Sequence, residues 1–476
     1  METFTRFLDS IDSFVWGIPL VSIVLFVGLL LTIRLNGLQI SNLPKALHFI
    51  IHDEKNGKGE VSSFESLCTA LAATIGTGNI AGVATAIGTG GPGALFWMEV
   101  AAFLGMATKY AEGLLAVKYR IVSKDGNVLG GPFYYIEHGF RERFGWNMKW
   151  LAILFAIFGM VAGLLGIGTI TQINSITTAV DAIIPSGEFV NIGGHSISTV
   201  TAVTGLFVTL ATAVVIFGGL HRIANVASFI VPFMAIFYVL FCIFFLILNF
   251  SEIPAAFKTI LHAAFNPAAV TGGAVGSIFI AMQKGISRGI FSNEAGLGSA
   301  PIAAAAAKTK EPVRQGLVCM TGTFFDTIII CTMTGLVIVI SGTWEPSLGL
   351  EGVNITLEAF RKGFRIFSSA SGFVPYFLAI SLTFFAFTSI LGWAYYSEKC
   401  LQYLVAKSPK ALLVYRWLYT LAVFIGPYLT VSAVWTCSDI FNGLMAFPNL
   451  VALILLSGIV ARDSKRFFKK FKKMID

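Results

Sequence analysis

A cluster of small polar residues interrupts a long apolar stretch at residues 71–81, which read Leu-Ala-Ala-Thr-Ile-Gly-Thr-Gly-Asn-Ile-Ala. The apolar run extends from about Ser63 to Gly90, which is long enough to cross a bilayer. Gly76 and Gly78 weaken a helix, and Asn79 places an amide at mid-membrane. The pattern fits either a small-residue packing face or a locally unwound helix whose free backbone and side-chain groups bind an ion or a polar solute.

A second interrupted stretch lies at residues 276–299, where glycines and polar residues again break an apolar run. At such a break a helix amino terminus presents N–H groups to a carboxylate, and unwound carbonyls present oxygen to a cation such as sodium. Lys284, Arg288 and Glu294 are costly at this depth unless they face water or a partner. We interpret them either as gating pairs on the cytoplasmic half or as a helix-end network that holds the break in place.

Hydroxyl and amide groups also occur inside two other apolar runs. Thr388 and Ser389 place two hydroxyls one helical step apart. With the carbonyl of Phe385 and two carbonyls from the first broken helix, they make a five-oxygen sodium site possible. Such a pair in a membrane helix also bonds its own backbone. Gln172 is an isolated amide that either caps the polar end of a substrate or bridges two helices.

The composition shows that the elements positioning these residues are membrane helices. Of the 476 residues, 56% are hydrophobic and 12% are charged, about half the charge of a soluble domain. The mean hydropathy is +0.80. We interpret the net charge of +8 as membrane orientation rather than nucleic-acid affinity. The six cysteines are scattered without CxxC spacing, which predicts neither a disulfide framework nor a zinc site.

Windows of about 20 apolar residues predict an all-α polytopic membrane protein with eleven spans. These lie near 15–34, 64–89, 94–118, 150–178, 199–218, 227–249, 274–305, 317–341, 373–396, 411–430 and 435–460. Most Lys and Arg residues fall in alternate loops and in the tail after residue 460, which predicts an outer amino terminus and a cytoplasmic carboxyl terminus. The amino terminus is acidic and lacks a cleavage-like pattern, so the first span is expected to be retained.

The two broken helices are predicted spans two and seven, five spans apart and oppositely oriented. This arrangement predicts an inverted repeat of five plus five helices with one extra amino-terminal helix, and it favours a binding site over a packing face. The chain then divides into an outer amino terminus, extra helix and cytoplasmic loop at 1–62, a first repeat at 63–249, a second repeat at 250–460 and a basic cytoplasmic tail at 461–476.

Five motifs together resemble the alanine or glycine:cation symporter family, in consistent order over nearly the whole chain. They are Ile75-Gly-Thr-Gly-Asn79, Gly90-Gly-Pro-Gly-Ala-Leu-Phe-Trp-Met98, Gly105-Met-Ala-Thr-Lys-Tyr-Ala-Glu-Gly113, Gly130-Gly-Pro-Phe-Tyr-Tyr-Ile-Glu137 and Arg288-Gly-Ile-Phe-Ser-Asn-Glu-Ala-Gly-Leu-Gly-Ser-Ala-Pro301. Glu99 departs from the family pattern, which more often has tryptophan there, either as a lipid-interface substitution or as a change in coupling. The resemblance implies the leucine-transporter fold and sodium-driven uptake of L-alanine or glycine by alternating access.

The resemblance also implies the roles of individual residues. Backbone groups of residues 74–78 would bind the substrate carboxylate, with polar side chains and a small apolar wall around the rest of the substrate. The implied substrate site is Thr74, Gly76, Thr77, Gly78, Asn79, Gln172, Phe279, Met282, Gln283 and Trp393. The implied sodium ligands are the carbonyls of Ala72, Ile75 and Phe385 and the hydroxyls of Thr388 and Ser389. Asn79 is also a candidate for a second cation site.

Other functions are weighed against this interpretation. The same fold, coupled to protons or carrying another small solute, would use an intramembrane carboxylate, and Glu99, Glu112 and Asp326 lie within predicted spans. An ion channel is disfavoured by the internal repeat, and an enzyme is disfavoured because the sequence has no HExxH, no GxSxG and no clustered His or Cys. The expected partners are a small neutral amino acid, co-transported sodium and the lipid bilayer of the cell membrane, without a prosthetic group, nucleic acid or obligate protein partner.

Overall fold

The computed structural model describes residues 2–475 apart from 53, 55–56, 124–126, 185–186, 193–194, 267–277, 365–371, 407 and 430–431. Helices dominate the described chain. They are α1 (Glu2–Val15), α2 (Ile18–Arg34), α3 (Leu38–Ser41), α4 (Leu43–Ile51), α5 (Ser63–Thr74), α6 (Ala81–Gly90), α7 (Gly93–Lys118), α8 (Pro132–Tyr134), α9 (Phe140–Phe144), α10 (Lys149–Leu165), α11 (Ile170–Asp181), α12 (Thr199–Ile216), α13 (Gly219–Leu248), α14 (Ile253–Phe265), α15 (Ile278–Asn293), α16 (Ala300–Ala304), α17 (Pro312–Thr323), α18 (Thr332–Ser341), α19 (Val353–Gly363), α20 (Val374–Leu404), α21 (Pro409–Ile425) and α22 (Ser432–Ile475).

The remaining elements are short. Four 3-10 turns cover Thr77–Asn79, Phe250–Glu252, Pro346–Leu348 and Gly426–Tyr428, and two π-helical segments cover Tyr135–Gly139 and Phe324–Cys331. Two antiparallel hairpins pair β1 (Ile121–Val122) with β2 (Val128–Leu129) and β3 (Phe189–Ile192) with β4 (His195–Ser198).

Nine helices in the described chain are long and apolar enough to cross a membrane, and the bent pair α5–α6 makes a tenth span. These ten match ten of the eleven predicted spans. The predicted span at 274–305 is not among them: residues 274–277 lie outside the described residues, the described α15 has 16 residues, and a break at 294–299 separates it from α16, which has five. The described chain is therefore a polytopic helical membrane protein with nine to ten apolar spans, one or two fewer than predicted.

The first predicted broken helix is present, and its break lies at the glycine cluster. A capping box between Ser62 and Glu65 starts α5, which ends at Thr74. Gly76 is extended, and the chain resumes as a 3-10 turn and then as α6, with a bend of 63°. The Asn79 side chain accepts a 2.8 Å hydrogen bond from the Gly76 N–H, so it satisfies a backbone donor that unwinding frees.

The second break follows α15 and uses left-handed backbone. Glu294, Gly296 and Gly298 have φ values of 56°, 89° and 84°. Glycine adopts this conformation without steric cost, whereas a glutamate there costs about 1–2 kcal/mol. The Ser299 hydroxyl donates a hydrogen bond to the Glu294 carboxylate across the break, and the Asn449 amide donates to the Gly296 carbonyl at 2.9 Å.

The helices around the two breaks pack closely. Helix α7 lies along α17 and α15, and α20 lies along α5, α10 and α11. Gly392 allows α20 to approach the backbone of Ala73, since a Cβ at position 392 would lie 2.6 Å from the Ala73 nitrogen. Gly285 likewise allows α15 to meet α7, where a Cβ would lie 2.1 Å from the Ala94 oxygen. Small residues therefore set these helix contacts, as is usual in membranes.

At one end of the molecule, the segment that precedes α5 contacts the segment that follows α16. We call it the basic end, because Lys58, Arg120 and Lys308 lie there. A parallel bridge pairs Val61 with Ala307, and the Lys308 N–H donates to the Val61 carbonyl at 2.7 Å. The Arg120 guanidinium donates to the carbonyls of four residues at 2.5–2.7 Å, namely Lys58, Ala305, Ala307 and Thr309. Burial lowers the pKa of Arg120 to about 10, so it remains a cation at neutral pH. We call this arrangement the main-chain latch.

Candidate functional site

The two breaks meet at the carboxylate of Asp326, which lies in the π-helical segment between α17 and α18. Its Oδ1 accepts a hydrogen bond from the Asn79 amide at 2.8 Å. Its Oδ2 accepts from the hydroxyls of Ser292 at 2.9 Å and Thr327 at 2.7 Å. All four residues are buried, and we call them the Asp326 cluster. A single carboxylate thus joins the first break, the last turn of α15 and a third helix.

The Asp326 cluster offers oxygen ligands inside the membrane. A buried carboxylate is costly unless it is hydrogen-bonded or paired with a cation. Here three uncharged donors satisfy it, and Lys109 of α7 interacts with it electrostatically. Such a group can hold a hard cation or a proton. The sequence interpretation named Asp326 only as one of three intramembrane carboxylates; its link to Asn79 spans 247 residues and has no local pattern.

Glu99 lies near this cluster. Its carboxylate meets Thr332 and interacts electrostatically with Asp326, and its Oε1 is shielded from solvent. Glu99 is half-buried, and its Oε1 has no hydrogen-bond partner among the described residues. A second carboxylate thus stands beside the Asp326 cluster.

The hydroxyls of α20 lie against the first break. The Ser389 oxygen is 2.6 Å from the position that a Cβ on Gly76 would occupy. Thr388 and Ser389 both donate to the Phe385 carbonyl at 3.0 Å. Three of the five predicted sodium ligands, Phe385, Thr388 and Ser389, lie on α20. The structure therefore places these three beside the break at Ile75–Gly76. Ala72 lies in the last turn of α5, whose next residue packs on Gly392.

Gln172 of α11 faces the same break. Its side-chain nitrogen donates to the Ile167 carbonyl at 3.0 Å, while its Oε1 is buried and has no hydrogen-bond partner among the described residues. That oxygen lies 3.9 Å from the Cβ position of Gly76. An unsatisfied buried acceptor costs about 1–3 kcal/mol, which a bound donor such as an ammonium group would recover.

A cavity of about 250 Å³ reaches the first break from the end of the molecule opposite the basic end. Thr77 lines its inner part, and α11, α19 and α20 contribute the walls through Asn174, Asn354 and Leu382. The cavity gives the break a partly open and mostly apolar approach with a few polar side chains, whereas the latch joins the chain at the other end.

Three predicted substrate residues lie away from this meeting point. Phe279, Met282 and Gln283 occupy the first turns of α15, and Phe279 is 69% exposed. Thirteen residues separate Phe279 from Ser292, which corresponds to about 20 Å along a helix. Trp393 is buried on α20, but its side chain packs on Gly163 and Gly168 of the α10–α11 region. The structure thus gathers Thr74, Gly76, Thr77, Gly78, Asn79 and Gln172 at the first break and places Phe279, Met282 and Gln283 farther along α15, whereas Trp393 lies one turn from Ser389 with its indole near Glu294.

The three predicted gating residues, Lys284, Arg288 and Glu294, do not lie together. Lys284 and Arg288 line a polar cavity with Asp12 and Asp439, at the end of the molecule opposite the basic end, and Arg288 lies 3.8 Å from Asp439. Helix α15 precedes the second break and enters from that end, so the assignment of Lys284 and Arg288 to the cytoplasmic half stays a prediction that depends on the orientation of the chain. Glu294 instead bonds Ser299 across the break, as the helix-end alternative expects.

Two buried charged residues of α7 lie next to the second break. The sequence interpretation did not propose this pair as a site. Lys109 and Glu112, one helical turn apart on α7, are both buried, and Lys109 interacts electrostatically with Glu112 and Glu294. Asn449 connects Glu112 to the Gly296 carbonyl. The sequence feature that could have identified this pair is its position in a predicted span, because ionisable residues are rare at membrane depth.

The chain matches the family model described as the sodium:alanine symporter family over residues 1–476. It is 50% identical over 471 residues to an uncharacterized transporter of Haemophilus influenzae, covering 99% of this chain and 97% of that protein. It is 46% identical over 468 residues to the sodium/alanine symporter AgcS of Methanococcus maripaludis, covering 98% and 97%. It is 36% identical over 479 residues to the amino-acid carrier protein AlsT of Bacillus subtilis, covering 100% and 95%. The chain therefore belongs to the sodium:alanine symporter family.

Proposed function

We propose that this protein is a sodium-coupled symporter that carries L-alanine or glycine into the cell. The observation that supports this most is the convergence of both helix breaks with the α20 hydroxyls and the Asp326 cluster at one buried point. Family membership and the 46% identity to a protein named a sodium/alanine symporter support the same substrate and ion.

The substrate site is proposed at the first break. The carboxylate of the amino acid binds the N–H groups of Thr77 and Gly78, where the chain has left the helix, while the Gly76 N–H is bonded to Asn79. The ammonium group is held by the unpaired Oε1 of Gln172. Ser389 of α20 lies against Gly76, and Phe291 and Ser292 of α15 lie against Gly78, so the site is proposed to take only a small side chain.

Sodium is proposed to bind where α20 meets the break. Its ligands are the hydroxyls of Thr388 and Ser389 and the carbonyls of Ala72, Ile75 and Phe385, a set of five oxygens suited to a hard cation. Sodium would compete for the Phe385 carbonyl that both hydroxyls now use, so they rotate away from it on binding. The Asp326 cluster is proposed as a second cation site, with Asn79 as one member.

Transport is proposed to proceed by alternating access in an inverted repeat of five plus five helices, 63–249 and 250–460. The basic end is cytoplasmic in this proposal, in keeping with the positive-inside rule. The cavity at Thr77 then opens outward while the main-chain latch closes the cytoplasmic side. Inward release requires the segments at 58–61 and 306–309 to separate.

Proton coupling on the same fold is the second candidate, because two carboxylates, Asp326 and Glu99, stand together inside the membrane. A proton could replace the cation at the Asp326 cluster without changing the rest of the site. The measurement that separates the two is uptake of labelled L-alanine into proteoliposomes. An inward sodium gradient alone should drive accumulation, and an inward proton gradient in potassium buffer should not; the reverse result supports the second candidate.

The double variant Thr388→Ala/Ser389→Ala should raise the sodium concentration for half-maximal uptake by roughly 100-fold, since a loss of about 1.4 kcal/mol for each of the two ligands is a factor of ten each. Sodium titration of uptake and of thermal stability checks this. Thr383→Ala on the same helix is the matched control, because its hydroxyl also bonds its own backbone, at 2.7 Å to Ala379, but lies outside the site. Unchanged sodium dependence in the double variant would place the ion elsewhere.

Gln172→Ala should raise the KM for L-alanine by about 10- to 100-fold, because a hydrogen bond to a charged group contributes roughly 1.5–3 kcal/mol. Sodium dependence should change little. Initial uptake rates at saturating sodium measure the effect, with Gln402→Ala near the basic end of α20 as the control. An unaltered KM would mean that Gln172 only bridges helices.

A further inference from the structure

An apolar groove of about 460 Å³ lies on the lipid side of the first broken helix. Helix α5 and Ile75 form one wall, α13 forms the opposite wall, and Phe325 of the π-helical segment closes the back. Its lining, as far as the described residues go, contains no charged or amide side chain. A void of this size would forfeit the dispersion contacts that a packed interior gains, so an apolar occupant is favoured.

The groove opens to the bilayer and not to water. Its mouth carries Phe64 and Ile236, which are 38% and 59% exposed, while its floor carries Cys68 and Leu71, which are 1% and 6% exposed. The lining residues of α13, 231–240, lie at the middle of a 30-residue spanning helix. Lipid hydrocarbon is the solvent at this depth and is as apolar as the groove lining.

The length of the groove matches one leaflet. It follows α5 from Phe64, near the basic end, to Ile75 at the break, which is eleven residues or about 17 Å of helix. The hydrocarbon of a single leaflet is about 15 Å deep, half of a core of about 30 Å. We propose that the groove binds one acyl chain of a phospholipid from the leaflet at the basic end, with the chain terminus beside Ile75. The bound chain braces α5 against α13.

A phospholipid with a mid-chain diazirine tests this in proteoliposomes of the full chain. After irradiation and digestion, mass spectrometry should find label on the floor residues Cys68 and Leu71 as well as on Phe207 of α12, which is 71% exposed and reports ordinary surrounding lipid. Ala235→Trp fills the groove and should reduce floor labelling at least fivefold without changing Phe207. Ala211→Trp, on the lipid side of α12, is the matched control and should leave floor labelling unchanged.

A second variant and a second measurement distinguish filling of the groove from misfolding of the chain. Ile236→Trp narrows only the mouth and should give the same loss at Cys68 and Leu71, while retained labelling of Phe207 reports intact folding. Native mass spectrometry after detergent exchange should find one retained phospholipid in the unchanged chain and none in Ala235→Trp. Labelled Phe207 with an unlabelled floor would overturn the proposal and favour a helix of another protein as the occupant, as would floor labelling that neither tryptophan reduces.

Discussion

Asp326→Asn is expected to reduce sodium-driven uptake of L-alanine by about 100-fold or more. The charge accepts hydrogen bonds from three donors on three segments, and bonds to charged groups contribute about 1.5–3 kcal/mol each. Asparagine also turns one acceptor into a donor that faces the Asn79 amide. A loss of about 3 kcal/mol in the transport transition state corresponds to a factor of roughly 100. Initial rates of labelled alanine uptake measure it.

Thermal unfolding of the same variant separates transport from folding. If Asp326 only fastens helices together, Asp326→Asn should lower the melting temperature while the remaining folded protein transports at the normal rate. If the carboxylate belongs to a cation site, the sodium-dependent rise in melting temperature should shrink as well. Glu358→Gln is the control, since that carboxylate is partly exposed on α19 and meets only Arg361 within the helix, at 3.9 Å.

The two glycines of the first break should differ sharply when each is replaced by alanine. Gly76→Ala places a Cβ 2.6 Å from the Ser389 hydroxyl oxygen, so it should displace a proposed sodium ligand and cut sodium-dependent uptake by at least 50-fold, roughly 2.3 kcal/mol. Gly78→Ala places its Cβ 3.5 Å from the Ser292 Cα, an ordinary contact, and the loss should stay under tenfold. Parallel uptake curves against sodium measure both.

A second-site substitution makes the steric reason testable. In Gly76→Ala, replacing Ser389 by alanine leaves the Ser389 Cβ as the nearest side-chain atom, at 3.7 Å instead of 2.6 Å. The double variant should recover thermal stability lost in Gly76→Ala, yet its sodium affinity should remain low because the hydroxyl is gone. Equal damage from Gly76→Ala and Gly78→Ala would show that helix unwinding, and not the Ser389 contact, makes glycine necessary.

The position of the first break was predictable because Gly76, Gly78 and Asn79 all act within one turn of chain. The second break was harder to place. Gly285 and Gly289 also interrupt that apolar run, but both sit inside a continuous α15, where they let the helix approach α7. Among the described glycines of that run, Gly296 and Gly298 are the two with positive φ. Sequence alone does not distinguish a glycine needed for close packing from one needed for left-handed backbone.

The candidate site was predicted in part for a related reason. Thr388, Ser389 and Gln172 stood out as polar groups in apolar helices, and the structure brings them to the break. The Asp326 cluster joins positions 247 residues apart, so no spacing rule could connect them. Phe279, Met282 and Gln283 came from the resemblance alone, and the structure places them about 14–20 Å along α15 from Ser292.

The hydrogen bonds of the main-chain latch depend on the path of the backbone, because Arg120 donates to backbone oxygens and to no side chain of its four partners. All four partners of Arg120 are peptide carbonyls, and every residue type supplies one. A substitution at the exposed Lys58 therefore leaves the contact in place, whereas Ala305, Ala307 and Thr309 are buried and are constrained by their packing. The contact is most sensitive to substitution of Arg120. Lysine in its place has one compact ammonium, which cannot reach four divergent oxygens at once. The contact at this end thus depends on one arginine and on a close approach of two backbones, since a Cβ at Gly59 would lie 2.4 Å from the Ala307 oxygen.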